Sequence, residues 1–198
     1  MPETAAVVLR LEGLTKVYRT GGLGYGKSLK AVDGVNLSIN KGDIFGIVGE
    51  SGCGKSTVAR MIAQLLQQTS GDIYLHGQKI ALQQRKSLKA YRKKVQMVFQ
   101  DPYSSLNPKK TIRHSVTLPL RSLYSVTQEE ANNKFVRMME MVGIPQRLYD
   151  AYPHEMSGGQ LQRVAIARAL IVDPVLLIAD EPIAALDVSI QSQVLNVL

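Results

Sequence analysis

The sequence predicts an α/β fold, and three observations carry that prediction. The first is Gly49-Glu50-Ser51-Gly52-Cys53-Gly54-Lys55-Ser56-Thr57, a Gly-x-x-x-x-Gly-Lys-Ser loop set between an apolar run, Ile44–Val48, and a stretch of helical periodicity, Val58–Leu66. The second is loose alternation of apolar and polar residues over 7–18 and again over 31–40, the pattern of antiparallel strands. The third is Val175-Leu176-Leu177-Ile178-Ala179, a continuous apolar run closed by Asp180-Glu181-Pro182, which suits a buried central parallel strand.

Taken in order, Val7, Leu9, Leu11, Leu14 and Val17 predict an edge strand with a turn at Glu12-Gly13. Residues 31–40 predict a second strand, and Lys41-Gly42-Asp43 a turn into the strand Ile44–Val48. The glycine loop comes next. Its glycines let the backbone wrap around phosphate oxygens, the helix N-terminus adds positive potential, Lys55 reaches the outer phosphates and the Ser56 hydroxyl suits a hard cation. Gly21–Ser28 satisfies the same pattern, but a mostly polar segment precedes it and Asp33-Gly34 interrupts the chain within two turns, so it reads as a loop.

Ser70-Gly71-Asp72 predicts a break, Ile73–Gly77 a short strand ending in a turn, and 82–94 a basic helix. Val95–Phe99 reads as a strand ended by Gln100-Asp101-Pro102, and 103–108 as a loop. From 111 to 152 helical periodicity dominates. Thr127-Gln128-Glu129-Glu130 is a capping box ahead of Phe135, Met138, Met139 and Val142, and Gly143 stops that helix. The methionines read as core packing. A further helix is expected from Ser157-Gly158-Gly159-Gln160 to about Ile171, ended by Asp173-Pro174.

The chain of 198 residues fits one domain, and 45% hydrophobic residues suffice for a core. No 18-residue apolar stretch predicts a membrane span, and no signal segment is read at the N-terminus, so a cytoplasmic location is expected. One cysteine, Cys53, excludes a disulfide framework within the chain. The net charge is +8 with a pI near 9.6, which favours polyanions. Much of it is local, in Arg85, Lys86, Lys89, Arg92, Lys93 and Lys94; a solvated helix face is the first reading, with lipid headgroups or nucleic acid as alternatives. An apolar strand ending in acids complements the glycine loop: Asp180 can hold a divalent cation bridging phosphate oxygens, and Glu181 can orient or deprotonate an attacking water.

Met156-Ser157-Gly158-Gly159-Gln160-Leu161-Gln162-Arg163 is more specific, and on it the chain resembles the nucleotide-binding subunits of ATP-binding-cassette transporters, with Met in place of the usual Leu of the signature. The resemblance implies a P-loop NTPase core with an N-terminal antiparallel β subdomain and an inserted α-helical subdomain, here one domain over 1–198: a β-rich part and loop core at 7–110, the helical insertion with the signature at 111–172, and the acidic strand with the following D-loop at 173–198. It implies ATP and Mg²⁺ as ligands, with Ser157, Gly158, Gly159 and Gln160 facing the γ-phosphate held by a second subunit. It further assigns Gln100 to the Mg²⁺ ion and the attacking water, Tyr18 to stacking on adenine, and Asp187 to a D-loop at the dimer interface.

The runs Val98–Pro108, Tyr152–Glu155 and Asp180–Gln191 are similar to importers of dipeptides, oligopeptides and nickel. The resemblance therefore implies an ATPase driving peptide uptake, with nickel as the alternative cargo. Expected partners are a second ATPase subunit, identical or paralogous, a membrane permease at the cytoplasmic face, and indirectly a solute-binding protein. Nucleic acid is not expected; a nucleic-acid- or ribosome-associated cassette is the rival class. The family carries a histidine beyond the D-loop, whereas His76, His114 and His154 all precede Asp187 and the sequence stops inside an apolar helical pattern at Leu198. The expectation is a truncated chain that binds ATP better than it hydrolyses it alone. His154 reads as a loop or packing residue.

Overall fold

The computed structural model describes residues 6–20, 27–80 and 85–181. The fold is α/β, and the chain divides into two compact units, Met1–Ser87 and Leu88–Leu198.

The first unit is an antiparallel sheet of order β2-β1-β3-β4 with one helix. Strand β1 (Val7–Thr20) pairs with β2 (Lys27–Asn40) on one side and β3 (Ser70–Leu75) on the other, so the predicted edge strand is an inner one. Gly13 makes no turn. It lies at a register irregularity with φ 58°, and the strand runs through it. The irregularity also explains Gly71, where β3 continues instead of the expected break. A Cβ at Gly71 would lie 2.3 Å from the Gly13 carbonyl oxygen, so two glycines let the strands cross closely. His76 and Gly77, both at positive φ, turn the chain into β4 (Gln78–Lys79). Leu9, Leu11, Leu14 and Ile73 are almost completely buried, as are Met61 and Ile62 of helix α1 (Lys55–Ile62).

One expected element is absent. Ile44–Val48 forms no strand; Ile44 is 100% and Val48 96% exposed, with Phe45 and Ile47 about half so. Apolar composition supplies a tendency to extend, but a strand exists only where a neighbour completes the hydrogen-bond ladder, and none of the described strands pairs with this run.

In the second unit, β5 (Val95–Val98) pairs in parallel with β6 (Leu176–Ala179), Val95 opposite Leu176 and Val98 opposite Ala179. The pairing is parallel as expected. Full burial of β6 is not realised, since Leu176–Ile178 are half-buried and Val175 is 46% exposed. Among the described residues β6 has one neighbouring strand, and a central strand needs two. Helix α2 (Arg85–Lys94) precedes β5 and buries Tyr91, whose phenol is pushed up by that burial. The segment expected as a loop after β5 holds a short helix, α3 (Pro102–Ser105), because Asp101 caps it by accepting from Tyr103 N–H at 2.9 Å with proline at the first helical position.

Helices α4 (Ile112–Leu123), α5 (Gln128–Met141) and α6 (Gly158–Leu170) share one core that includes Ile112, Phe135, Met139, Leu161 and Val164, so the methionines pack as expected. The capping box at Thr127 and Glu130 is complete on both sides, and Gly143 at φ 66° closes α5 as expected.

Arg113 joins these helices. Its guanidinium donates to both carboxylate oxygens of Asp150 at 2.7 and 2.8 Å and to Asn132 Oδ1 at 2.5 Å, and it lies over the Phe135 ring at 4.7 Å. Asp150 is 68% exposed, so the pair is partly screened. Arg113→Ala is expected to lower stability by about 1.5 kcal/mol in denaturant titration, and Arg113→Lys to recover little of it, because an ammonium cannot supply the fork. The guanidinium holds the Asp150 carboxyl below the usual carboxylate range. That stabilisation is present above the unfolded carboxylate pKa and is lost as pH falls through the folded value, so the gap between the native chain and the two variants narrows in acid to what the Asn132 and Phe135 contacts contribute.

Candidate functional site

In the first unit the glycine loop leads directly into α1. Gly49–Cys53 are exposed and Gly54–Thr57 half-buried. Lys55 Nζ donates to the carbonyls of Gly49 and Glu50, each at 2.7 Å, which ties the ammonium back to the start of the loop. Gly54 caps α1 at φ 99° and ψ 3°, and a Cβ there would meet the Ala31 carbonyl oxygen at 2.4 Å. Gly52, at φ 81°, has nothing within 4 Å of its Cβ position. The first turn of α1 carries no acid, which leaves its positive end open to an anion. The helix expected after the loop is present, and the strand expected before it is not. Tyr18, on β1 of the same unit, is 37% exposed. The second Gly-Lys-Ser match does not start a helix: Lys27 and Ser28 lie in β2, while 21–26 fall outside the described residues.

In the second unit, parallel pairing aligns the carboxyl ends of β5 and β6, the edge at which open α/β sheets place their chemistry. Gln100 follows β5, and Asp180 and Glu181 follow β6; Asp180 N–H donates to Val98 O at 3.0 Å. Gln100 Nε2 donates to Glu181 Oε2 at 2.6 Å, a contact that no sequence spacing could have announced across 81 residues. Glu181 has φ 48°, a left-handed backbone that a side-chain-bearing residue adopts at a cost of about 1–2 kcal/mol. Such strain is often held at functional positions. The Asp180 carboxylate and the Gln100 amide oxygen of this unit are hard oxygen donors of the kind Mg²⁺ takes, an ion that uses one or two carboxylates and keeps substrate phosphates and water as its other ligands.

The signature segment starts α6. Ser157 Oγ accepts from Gln160 N–H at 3.3 Å while Gln160 Oε1 accepts from Ser157 N–H at 2.9 Å, a complete capping box. Met156, 6% exposed, anchors the segment in the core. Gly158 has no atom within 4 Å of its Cβ position and no positive φ, so nothing within the described fold demands glycine there. A bare backbone at a helix N-terminus is what the close approach of an anion requires. His154 is exposed in a 3-10 turn and stacks on Tyr152, centroids 5.7 Å apart, consistent with the loop reading.

Sequence reasoning missed two arginines that hold α6. Arg163 Nη1 donates to the carbonyls of Val142 and Gly143 at 3.1 and 2.8 Å, closing the end of α5. Arg168 donates to the Ser105 carbonyl at the end of α3, and burial lowers both guanidinium pKa values. The available signal was an arginine inside the small apolar run Val164–Leu170, where a charge needs a dedicated partner. Asp187 lies outside the described residues.

The family model of the ABC transporter matches residues 32–184. The chain is similar to the oligopeptide transport ATP-binding protein AppF of Bacillus subtilis (51% identity over 171 residues, covering 86% of this chain and 52% of the relative). It is 49% identical over 173 residues to the oligopeptide transport ATP-binding protein OppF of Escherichia coli, covering 87% of this chain and 52% of that one. The chain thus spans about half the length of the curated relatives it matches. Among solved structures it resembles a dimeric post-hydrolysis state of the ATP-binding cassette MJ0796 bound to ADP and Pi, with a TM-score of 0.86 and 34% identity over 96% of this chain and 80% of that one.

Proposed function

The chain belongs to the ABC transporter family, and from that premise we propose that it is the ATP-binding subunit of an importer that hydrolyses ATP to drive uptake of dipeptides or oligopeptides. The observation that carries this reading is the capped N-terminus of α6, with Ser157 and the bare Gly158, in a chain that also holds the Gly49–Thr57 loop before α1. Both are helix N-termini suited to phosphate, and two such ends in one chain suit an ATP taken between two subunits. That the relatives AppF and OppF are oligopeptide transport ATP-binding proteins favours peptide import over the nickel and nucleic-acid alternatives.

In this proposal the loop amides and Lys55 take the β- and γ-phosphates, and Tyr18 stacks on adenine. Ser157, Gly158, Gly159 and Gln160 meet the γ-phosphate of the nucleotide held by the second subunit. Ser56, Gln100 and Asp180 would hold Mg²⁺, which when bound neutralises phosphate charge. Glu181 accepts the proton of the attacking water as its oxygen bonds to the γ-phosphorus and the bond from that phosphorus to the bridging oxygen of ADP breaks. Gln100, bonded to Glu181 Oε2, orients the carboxylate. No described helix is long and apolar enough to cross a membrane, and the proposed place is peripheral, on permease subunits at the cytoplasmic face, with a solute-binding protein as indirect partner. Reconstitution with the permease in vesicles tests the reading: ATP-dependent uptake of a labelled peptide supports it, and uptake that ignores ATP or favours nickel overturns it.

A further inference from the structure

We infer that Lys16 is a positioning residue for base recognition: it covers one face of the Tyr18 ring and fixes the ring so that the other face receives a purine. The inference rests on the proposed stacking role of Tyr18 and adds to it the residue that sets the geometry.

Residues two apart on a strand share a face, so Lys16 and Tyr18 project to the same side of β1. Lys16 Nζ lies 5.3 Å from the centroid of the Tyr18 ring, within the range of a cation–π contact. The ammonium is not left to wander, because it donates to the Gln67 carbonyl at 2.7 Å. Gln67 lies in the segment that leaves α1, and that segment is itself pinned to β1: Thr69 N–H donates to Thr15 O at 2.8 Å, and Val17 N–H donates to Thr69 Oγ1 at 2.9 Å. A half-buried lysine stem, a carbonyl anchor and two flanking hydrogen bonds from and to Thr69 therefore hold the cation beneath a ring that is still 37% exposed.

Elementary chemistry gives this arrangement two effects. A free tyrosine ring loses rotational freedom when a base stacks on it; a ring already fixed by a tethered cation loses less. The ammonium also draws ring electron density towards itself, which favours an electron-rich purine on the opposite face. The same anchor joins the ring to the segment after the helix that begins at the phosphate loop, so base and phosphate contacts are set by one continuous stretch of the first unit.

Calorimetric titration of the whole chain with ATP and with inorganic tripolyphosphate separates base from phosphate recognition. Native chain, Lys16→Met, Lys16→Arg and Tyr18→Ala are compared. The expected result is that Lys16→Met weakens ATP about threefold and leaves tripolyphosphate unchanged, while Lys16→Arg stays near native. Equal weakening of both ligands by Lys16→Met would mean that the lysine merely supports the fold, and overturns the inference. So does an unchanged ATP affinity in Lys16→Met when Tyr18→Ala weakens ATP. If Tyr18→Ala leaves the ratio of the two affinities unchanged, the stacking role of Tyr18 fails and the role of Lys16 fails with it.

Discussion

Glu181→Gln is expected to reduce MgATP turnover by at least about a hundredfold while leaving ATP affinity within about twofold, as loss of a general base does. The substitution is chosen because it changes little else. Glutamine keeps the shape of the side chain and an oxygen that can accept from Gln100 Nε2, now at 2.6 Å from Glu181 Oε2. It also keeps the left-handed backbone, φ 48°, so the strain at this position is common to both chains. What differs is the charge able to take a proton from water. Single-turnover hydrolysis with labelled ATP, beside equilibrium binding of a fluorescent ATP analogue, reads the two quantities separately. Turnover preserved in the variant would remove Glu181 from the reaction and leave it a strand-end acid.

Gly54→Ala is expected to abolish measurable ATP binding at concentrations that saturate the native chain and to destabilise the first unit by about 2 kcal/mol. Two costs combine. The backbone at φ 99° is one that alanine rarely adopts, and the added Cβ would stand 2.4 Å from the Ala31 carbonyl oxygen, a backbone atom that cannot swing aside. The loop must therefore move off β2, and its N–H groups move with it. Gly52→Ala separates strain from collision, since Gly52 has φ 81° but open space at its Cβ position. A milder loss of affinity and stability is expected there. Equal effects in the two variants would show that the approach to Ala31 contributes nothing.

Part of this fold is legible in the sequence because the information is local. The capping box at Thr127–Glu130, the helix start at Ser157, the stop at Gly143 and the turn at Gly77 each depend on residues within a few positions, and each stands where its chemistry predicts. The glycine loop is legible for the same reason. What fails is long-range. Nothing in 7–18 says how many neighbours a strand has, so alternation alone makes β1 an edge; the partners on its second side, in β3, lie 55 to 66 residues away. Gly71 reads as a break because its closeness to Gly13 across the sheet is invisible in one dimension. Ile44–Val48 has the composition of a buried strand, but pairing decides and none of the described strands supplies it. In the candidate site, the position of Asp180 and Glu181 at a strand end is legible from the apolar run before them, whereas the Gln100–Glu181 bond and the carbonyl anchor of Lys16 span 81 and 51 residues and are set by the fold.

In the proposed mechanism this chain supplies the N-terminus of α6 to an ATP held by a second subunit. Steady-state MgATP hydrolysis by the chain mixed with a full-length homologous subunit measures that contribution, for the native sequence and for Gly158→Glu. Gly158 faces open space, so the longer side chain leaves thermal stability and ATP binding by the chain's own loop near native. With the native chain, turnover in the mixture is expected to rise above the sum of the separate subunits, and Gly158→Glu is expected to remove that excess. An excess that survives the substitution would contradict a role for the α6 N-terminus in the partner's site, and with it the shared-nucleotide mechanism.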